Sequence, residues 1–300
     1  LEWKYKIFVP VANGGFPFVV KGLNARGRAT RLRNIYDSLV RPEIWLVDHS
    51  KFDSMVNMDL LRLEHEVYRR CYRKCDNLEY LLSKQYHNKF VTQNGIKYTF
   101  EARRCSGDAN TSLGNSIINY LILRCAFPSA TIVVDGDDSV VFQEAGSQKN
   151  LNFCDMGMET KYECVSEFQQ IEFCQSRPVM TPMGWVMCKN PIRALSRMNI
   201  KLGIPDESFF KTVGVGEGLI SSYMPMLSYA AARFRLAGGN GKFKPHHLDY
   251  YTRIMMWDSK FNYPTDEVRA SFARAWNISV PEQYMYERMI ARGVVIWKEQ

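Results

Sequence analysis

Three hundred residues, 46% hydrophobic and 23% charged, carry enough apolar surface to close a sizeable core, which excludes a disordered chain and leaves room for two subdomains. A formal charge of +8 favours a polyanionic partner, because clustered Lys and Arg gain free energy by releasing counterions from phosphates. No apolar run approaches the roughly 18 to 20 residues that span a bilayer, and the opening Leu-Glu-Trp-Lys is unlike a signal peptide. Any membrane attachment is therefore expected from chain outside this sequence.

In chain order, Tyr5 to Val11 reads as an apolar strand. The sequence starts at that strand without a Met, so a piece of a longer protein is expected. A basic stretch follows, with Lys21, Arg26, Arg28, Arg31 and Arg33, and leads into Glu43 to Val47, a buried strand ending at Asp48. Asn57 is a good N-cap for a helix with Leu60, Leu63, Val67 and Cys71 on one face and a Glu66–Arg70 pair outside. Cys71 and Cys75 are expected to share a helix face near His65, with burial favoured over a zinc site. The other six cysteines show no ligand spacing, so all eight read as free thiols in a reducing compartment.

Ser112 to Ala126 is almost uncharged, has helical length and stops before Pro128, which predicts a helix buried on most of its circumference. Thr131 to Phe142 forms two β-branched runs around Gly136, Asp137 and Asp138, a hairpin signal with carboxylates at the turn. Beyond residue 199 the pattern is helical, punctuated at Gly203 to Pro205, Gly214 to Gly218 and Gly238 to Gly241. A basic loop of Lys242, Lys244, His246 and His247 follows.

Adjacent Asp137 and Asp138 repel each other, and no cation is near in sequence. A divalent ion would resolve that. Hard cations take a few carboxylate oxygens plus substrate phosphates, and Asp48 at a strand end is the natural second carboxylate source. An isolated Gly-Asp-Asp would still read as an exposed acidic turn. Order and spacing change that reading: Asp48 with Asp53 five residues on, then Ser106-Gly107 with Thr111 and Asn115, then Gly136-Asp137-Asp138.

These segments resemble motifs A, B and C of the RNA-dependent RNA polymerases of positive-strand RNA viruses. Ser-Gly-Asp-Ala-Asn-Thr-Ser-Leu-Gly-Asn and Ile171 to Gln175, with Pro178-Val179 after them, look most like the tombusvirus-like group. The likeness is expected to run from about residue 19 to 198, since Val20 to Ala25 and the following arginines are similar to the family's segment before motif A. The resemblance implies an α+β fold, a right-hand polymerase palm of antiparallel sheet on helices. It assigns residues 1–42 to a remnant of the fingers, 43–198 to the palm with motifs A to E, about 60–104 of it contributing a helix and a fingers-side insertion, and 199–300 to a helical thumb. The family's basic motif F is expected before Leu1.

What the resemblance implies for chemistry is template-directed RNA synthesis. Asp48, Asp137 and Asp138 would hold two Mg2+ ions, with Mn2+ as a substitute, and Lys161 would act as general acid toward pyrophosphate. Asp53 and Asn115 would receive the ribose 2′-hydroxyl, with Ser106, Gly107 and Thr111 positioning them. Phe173-Cys174-Gln175 resembles the primer-gripping motif E. Lys189, Arg193, Lys242 and Lys244 are expected on RNA phosphates, and Trp185 in packing. Partners implied are template and nascent RNA, NTPs and viral replication proteins, in the host cytoplasm at membrane-associated complexes. A reverse transcriptase would instead carry an aromatic gate near Asp53 and Tyr-x-Asp-Asp at the hairpin, and both are missing. A metal-dependent nuclease has no need of the Ser-Gly-x3-Thr-x3-Asn helix start, and an RNA-binding scaffold has no need of the aspartates.

Overall fold

The computed structural model describes residues 13–72, 75–198, 205–248, 250–258 and 260–293. The proposed strand Tyr5 to Val11 lies outside them, as do Gly203 and Ile204. Two compact units form: one comprises 13–21 with 39–165, the other 22–38 with 166–293. Helix α1 (Ala25–Asp37), capped by the Asn24 side chain on the Gly27 amide, belongs to the second unit.

The first unit is built on a four-stranded antiparallel sheet in the order β4-β5-β1-β6, where β1 is Pro42–His49, β4 Thr131–Asp135, β5 Asp138–Glu144 and β6 Thr160–Val165. β5 is buried from Ser139 to Gln143 and reads Val-Val-Phe through its centre, as a strand covered on both faces must. Between β1 and β4 the chain forms α2 (Phe52–Met55), α3 (Met58–Cys71), α4 (Asp76–Ser83), the two-stranded β2 (His87–Val91) and β3 (Lys97–Glu101), and α5 (Thr111–Ala126). Lys51, at φ +50°, turns the chain out of β1 into α2. Helix α5 packs beside β4, placing Ile118, Leu123, Phe127 and Ile132 in one core at 0 to 1% exposure. Burial of such side chains contributes about 1.5–3 kcal/mol each.

α5 matches its expected length and burial, and Asn57 caps α3 by accepting from the Asp59 and Leu60 amides. The buried face of α3 differs from expectation. It is Leu60, Leu61, Glu64, His65 and Tyr68, while Leu63 is 52% exposed. Two polar residues took interior positions because each found partners. His65 is held by Tyr86 and Gln85 at 2.9 Å on either ring nitrogen, and Glu64 sits in a network described below. Cys71 ends α3 and Cys75 precedes α4; both are exposed, so the shared buried face is overturned.

The second unit carries the hairpin β7 (Ser176–Thr181) and β8 (Gly184–Lys189), then α6 (Pro191–Met198), α7 (Glu207–Ile220), α8 (Leu227–Ala237), α9 (Tyr250–Met255), α10 (Asp266–Trp276) and α11 (Val280–Ala291). α1 packs on β8, α10 on β7, and α7 on α8. Gly214 to Gly218 do not interrupt the chain but lie inside α7. A Cβ on Gly214 would stand 2.5 Å from the Arg235 amide nitrogen and 2.7 Å from the Ala231 carbonyl oxygen, so glycine there lets two helix backbones meet. Close approach, rather than a turn, is what these glycines supply. Among the described residues no helix is long and apolar enough to cross a membrane.

Candidate active site

The register of the sheet sets the acidic residues. Asp135 pairs with Asp138 across a two-residue turn in which Gly136 has φ +72° and Asp137 keeps a negative φ, the pattern of a type II′ hairpin. Val47 pairs with Ser139 on one side of β1, and Asp48 pairs with Lys161 on the other. One step along the antiparallel register brings Asp48 level with Asp138. Asp48, Asp138 and Lys161 are all exposed, so the three stand in a row across β5, β1 and β6. Asp137 projects beside that row from the turn.

The turn is clamped from α5. Asn119 donates its amide to the carbonyl oxygens of Gly136 at 3.1 Å and Asp137 at 2.8 Å, and Ser116 Oγ accepts from the Gly136 amide at 2.9 Å. The carboxyl of Asp137 is raised above the ordinary carboxylate range, first by desolvation within the turn and then by the charges of Asp53, Asp48 and Asp135. It remains open to solvent. His49, next to Asp48 but facing inward, is lowered to about 4 by burial, with Nδ1 2.7 Å from Thr160 Oγ1 and the rings of Phe52 and Phe153 around it. It is neutral at physiological pH.

Asp53 is held in a second cluster. Asn115 Nδ2 donates to Asp53 Oδ1 at 2.7 Å, and Ser106 Oγ donates to Asp53 Oδ2. Thr111 caps the loop from within by donating to the Cys105 carbonyl at 2.8 Å. Gly107 is exposed beside them, with open space where a Cβ would stand. Lys21 reaches Ser112 at the start of α5.

Hard oxygen donors with a mutually repulsive charge suit a divalent cation, and Asp137, raised first by desolvation, is raised further by the neighbouring carboxylates Asp53, Asp48 and Asp135. Among the described residues no three His, Cys, Asp or Glu side chains close a ready-made metal cage.

In the second unit Lys189 Nζ is paired with Glu217 at 3.1 Å, while Arg193 and Lys242 are exposed and Lys244 is half-buried. The basic run before β1 is not one exposed stripe. Arg28 is buried, donating to the Leu23 carbonyl and to Cys174 Sγ, and Arg33 bonds Asp37 and lies over the rings of Tyr36, Phe168 and Trp185. Trp185 packs edge-on against Phe168 at 4.9 Å. Arg177 pairs with Glu172 at 2.9 Å and stacks on Trp276. Cys174 and Gln175 both adopt positive φ, +50° and +56°, in a tight turn that precedes β7. Sequence reasoning missed Asp135, Ser116, Asn119, Glu64 and Arg104. For Ser116 and Asn119 the available signal was polarity, shared with Asn115, at buried positions of a helix rich in Ile and Leu.

Residues 11–297 match the profile of a family described as viral RNA dependent RNA polymerase. The chain belongs to that family. The likeness therefore extends across the C-terminal helices, beyond the stretch of motifs. The chain is 28% identical to the RNA-directed RNA polymerase of oat chlorotic stunt virus, over 91% of its own length and 41% of that protein. It is 29% identical to that of Cymbidium ringspot virus over 91% of this chain and 36% of the other, and 33% identical to that of melon necrotic spot virus over 67% and 27%. The chain thus spans about two fifths or less of the length of these relatives, and the tombusvirus-like resemblance is the correct one.

Proposed function

We propose that the protein synthesises RNA on an RNA template, transferring nucleotides from NTPs to the 3′-hydroxyl of the growing strand. The reading rests on one observation: Asp48, Asp138 and Lys161 share an exposed row beside the Asp137 turn, and a separate cluster fixes Asp53 through Asn115 and Ser106. That is a charge-binding centre next to a hydrogen-bonding one, as nucleotide addition requires.

In this mechanism Asp48 and Asp137, with Asp138, would hold two magnesium ions, or manganese in their place. When bound, these supply charge neutralisation at the attacking hydroxyl and the departing pyrophosphate. Asp53 accepts from the ribose 2′-hydroxyl and Asn115 donates to it, so a deoxynucleotide forfeits both bonds and is disfavoured. Ser106 and Thr111 order the loop around them, and exposed Gly107 lets backbone approach the nucleotide. Lys161 delivers a proton to the leaving group from its place opposite Asp48. Arg193, Lys242 and Lys244 meet RNA phosphates. Lys189 does so only by exchanging its Glu217 partner.

In the same proposal residues 43–198 act as palm, 199–300 as thumb, and 1–42 as part of the fingers. The full-length protein, given template, NTPs and Mg2+, is expected to extend RNA. Asp137→Asn is expected to abolish extension while RNA binding, measured by filter retention, survives. Equal extension by the variant would overturn the assignment.

A further inference from the structure

We propose that Arg104 and Glu64 are positioning residues for nucleotide selection, a buried ion pair that sets the amide of Asn115 and thereby the carboxylate of Asp53. The inference rests on the reading of Asp53 and Asn115 as receivers of the 2′-hydroxyl. The side chains of Arg104 and Glu64 are 1% and 0% exposed, and Arg104 Nη2 donates to Glu64 Oε2. Arg104 Nε donates to Asn115 Oδ1 at 2.9 Å. A guanidinium has no acceptor, so the oxygen of Asn115 must face Arg104 and the NH2 must face Asp53. The amide has one orientation, dictated by charge.

Arg104 also grips Asp53 from the backbone, its amide donating to the Asp53 carbonyl at 3.2 Å. One residue therefore holds both members of the selecting pair. Glu64 in turn is fixed by Tyr68 Oη at 2.7 Å and Asn110 Nδ2 at 2.9 Å. The ion pair lies directly against the backbone of α5 at Gly114, where a Cβ would stand 2.2 Å from Glu64 Oε1 and 2.5 Å from Arg104 Nη2. A glycine one residue before Asn115 is the condition for the brace to reach it.

Buried ion pairs contribute little net stability compared with apolar residues of the same volume, whereas their directional bonds fix geometry. The brace is therefore best explained by what it orients. Lysine at 104 keeps the charge but is a point donor, unable to hold Glu64 and Asn115 in one plane.

The test uses the full-length polymerase and compares kcat/KM for NTP and dNTP incorporation in the wild type, Asp53→Ala, Arg104→Lys and the double variant Arg104→Met with Glu64→Leu. The double variant removes both charges together and strands neither. The NTP preference is expected to fall about tenfold or more in Arg104→Lys and in the double variant, the size expected from losing one well-aligned hydrogen bond in the selecting site. The loss should fall on discrimination, with kcat for NTP changed much less. If Asp53→Ala leaves the preference intact, the underlying reading of the 2′-hydroxyl site fails. If Asp53→Ala narrows it while both brace variants fold and discriminate like wild type, the brace proposal fails alone. Failure of both brace variants to fold would also overturn it, since the pair would then be needed for the core rather than for positioning.

Discussion

Asn119 reaches from α5 to donate 2.8 Å to the main-chain carbonyl of Asp137, so the acidic turn is anchored by a buried side chain rather than by its own hairpin alone. The same helix carries Asn115, which holds Asp53. The Asp53 cluster and the acidic turn are thus held by one helix.

Replacing Asn119 by Ala should free two carbonyls of the turn without touching the nucleotide. A stability loss of about 1–3 kcal/mol is expected from the unsatisfied buried groups. The kcat for extension should fall while KM for NTP and affinity for RNA change little, the signature of an interaction that matters in the transition state. Steady-state extension assays together with urea unfolding separate the two effects.

The raised Asp137 carboxyl predicts how magnesium activation depends on pH. The folded protein favours the protonated form of this group, so its ionised form becomes costly as pH rises through the raised pKa, and a bound cation offsets that cost. Lowering pH toward that value makes protons compete with the ion. Magnesium titrations of extension at successive pH values should show the half-activating concentration rising as pH falls. A half-activating concentration that is constant with pH would contradict this assignment.

His49 predicts an acid-side loss of stability. Its pKa is depressed to about 4 from an ordinary 6.5, so the neutral ring is favoured in the fold. The contribution is complete above 6.5 and disappears as pH falls through the folded value, because the unfolded histidine takes up a proton that the buried one refuses. His49→Gln, followed by thermal melting in metal-free buffer between about pH 6.5 and 4, should show a shallower decline than wild type, by up to one proton.

Gly214→Ala would ordinarily gain about 1 kcal/mol of helix propensity. Here the new methyl meets the backbone of α8, which cannot swing aside. A net destabilisation of about 1–3 kcal/mol is expected from overpacking. Chemical unfolding of the variant checks the sign as well as the size.

The sequence by itself determined what is local or periodic. Alternating and continuous apolar runs marked β1, the hairpin of β4 and β5, and α5, and the spacing of Asp48, Asp53, Ser106, Thr111, Asn115, Asp137 and Asp138 singled out the candidate site. Asn57 announced its helix because a cap is a contact between near neighbours. Only the tertiary structure decided which polar groups are paired across the chain. Nothing local to α3 marks Glu64 as buried; its partner Arg104 lies 40 positions on. Leu63 then lost its place inside to Glu64 and His65, because the buried face of α3 was chosen by those bonds and not by hydropathy. The glycines of α7 read as breaks for the same reason: absence of a side chain looks alike in a turn and in a helix crossing, and only the helix that approaches tells them apart.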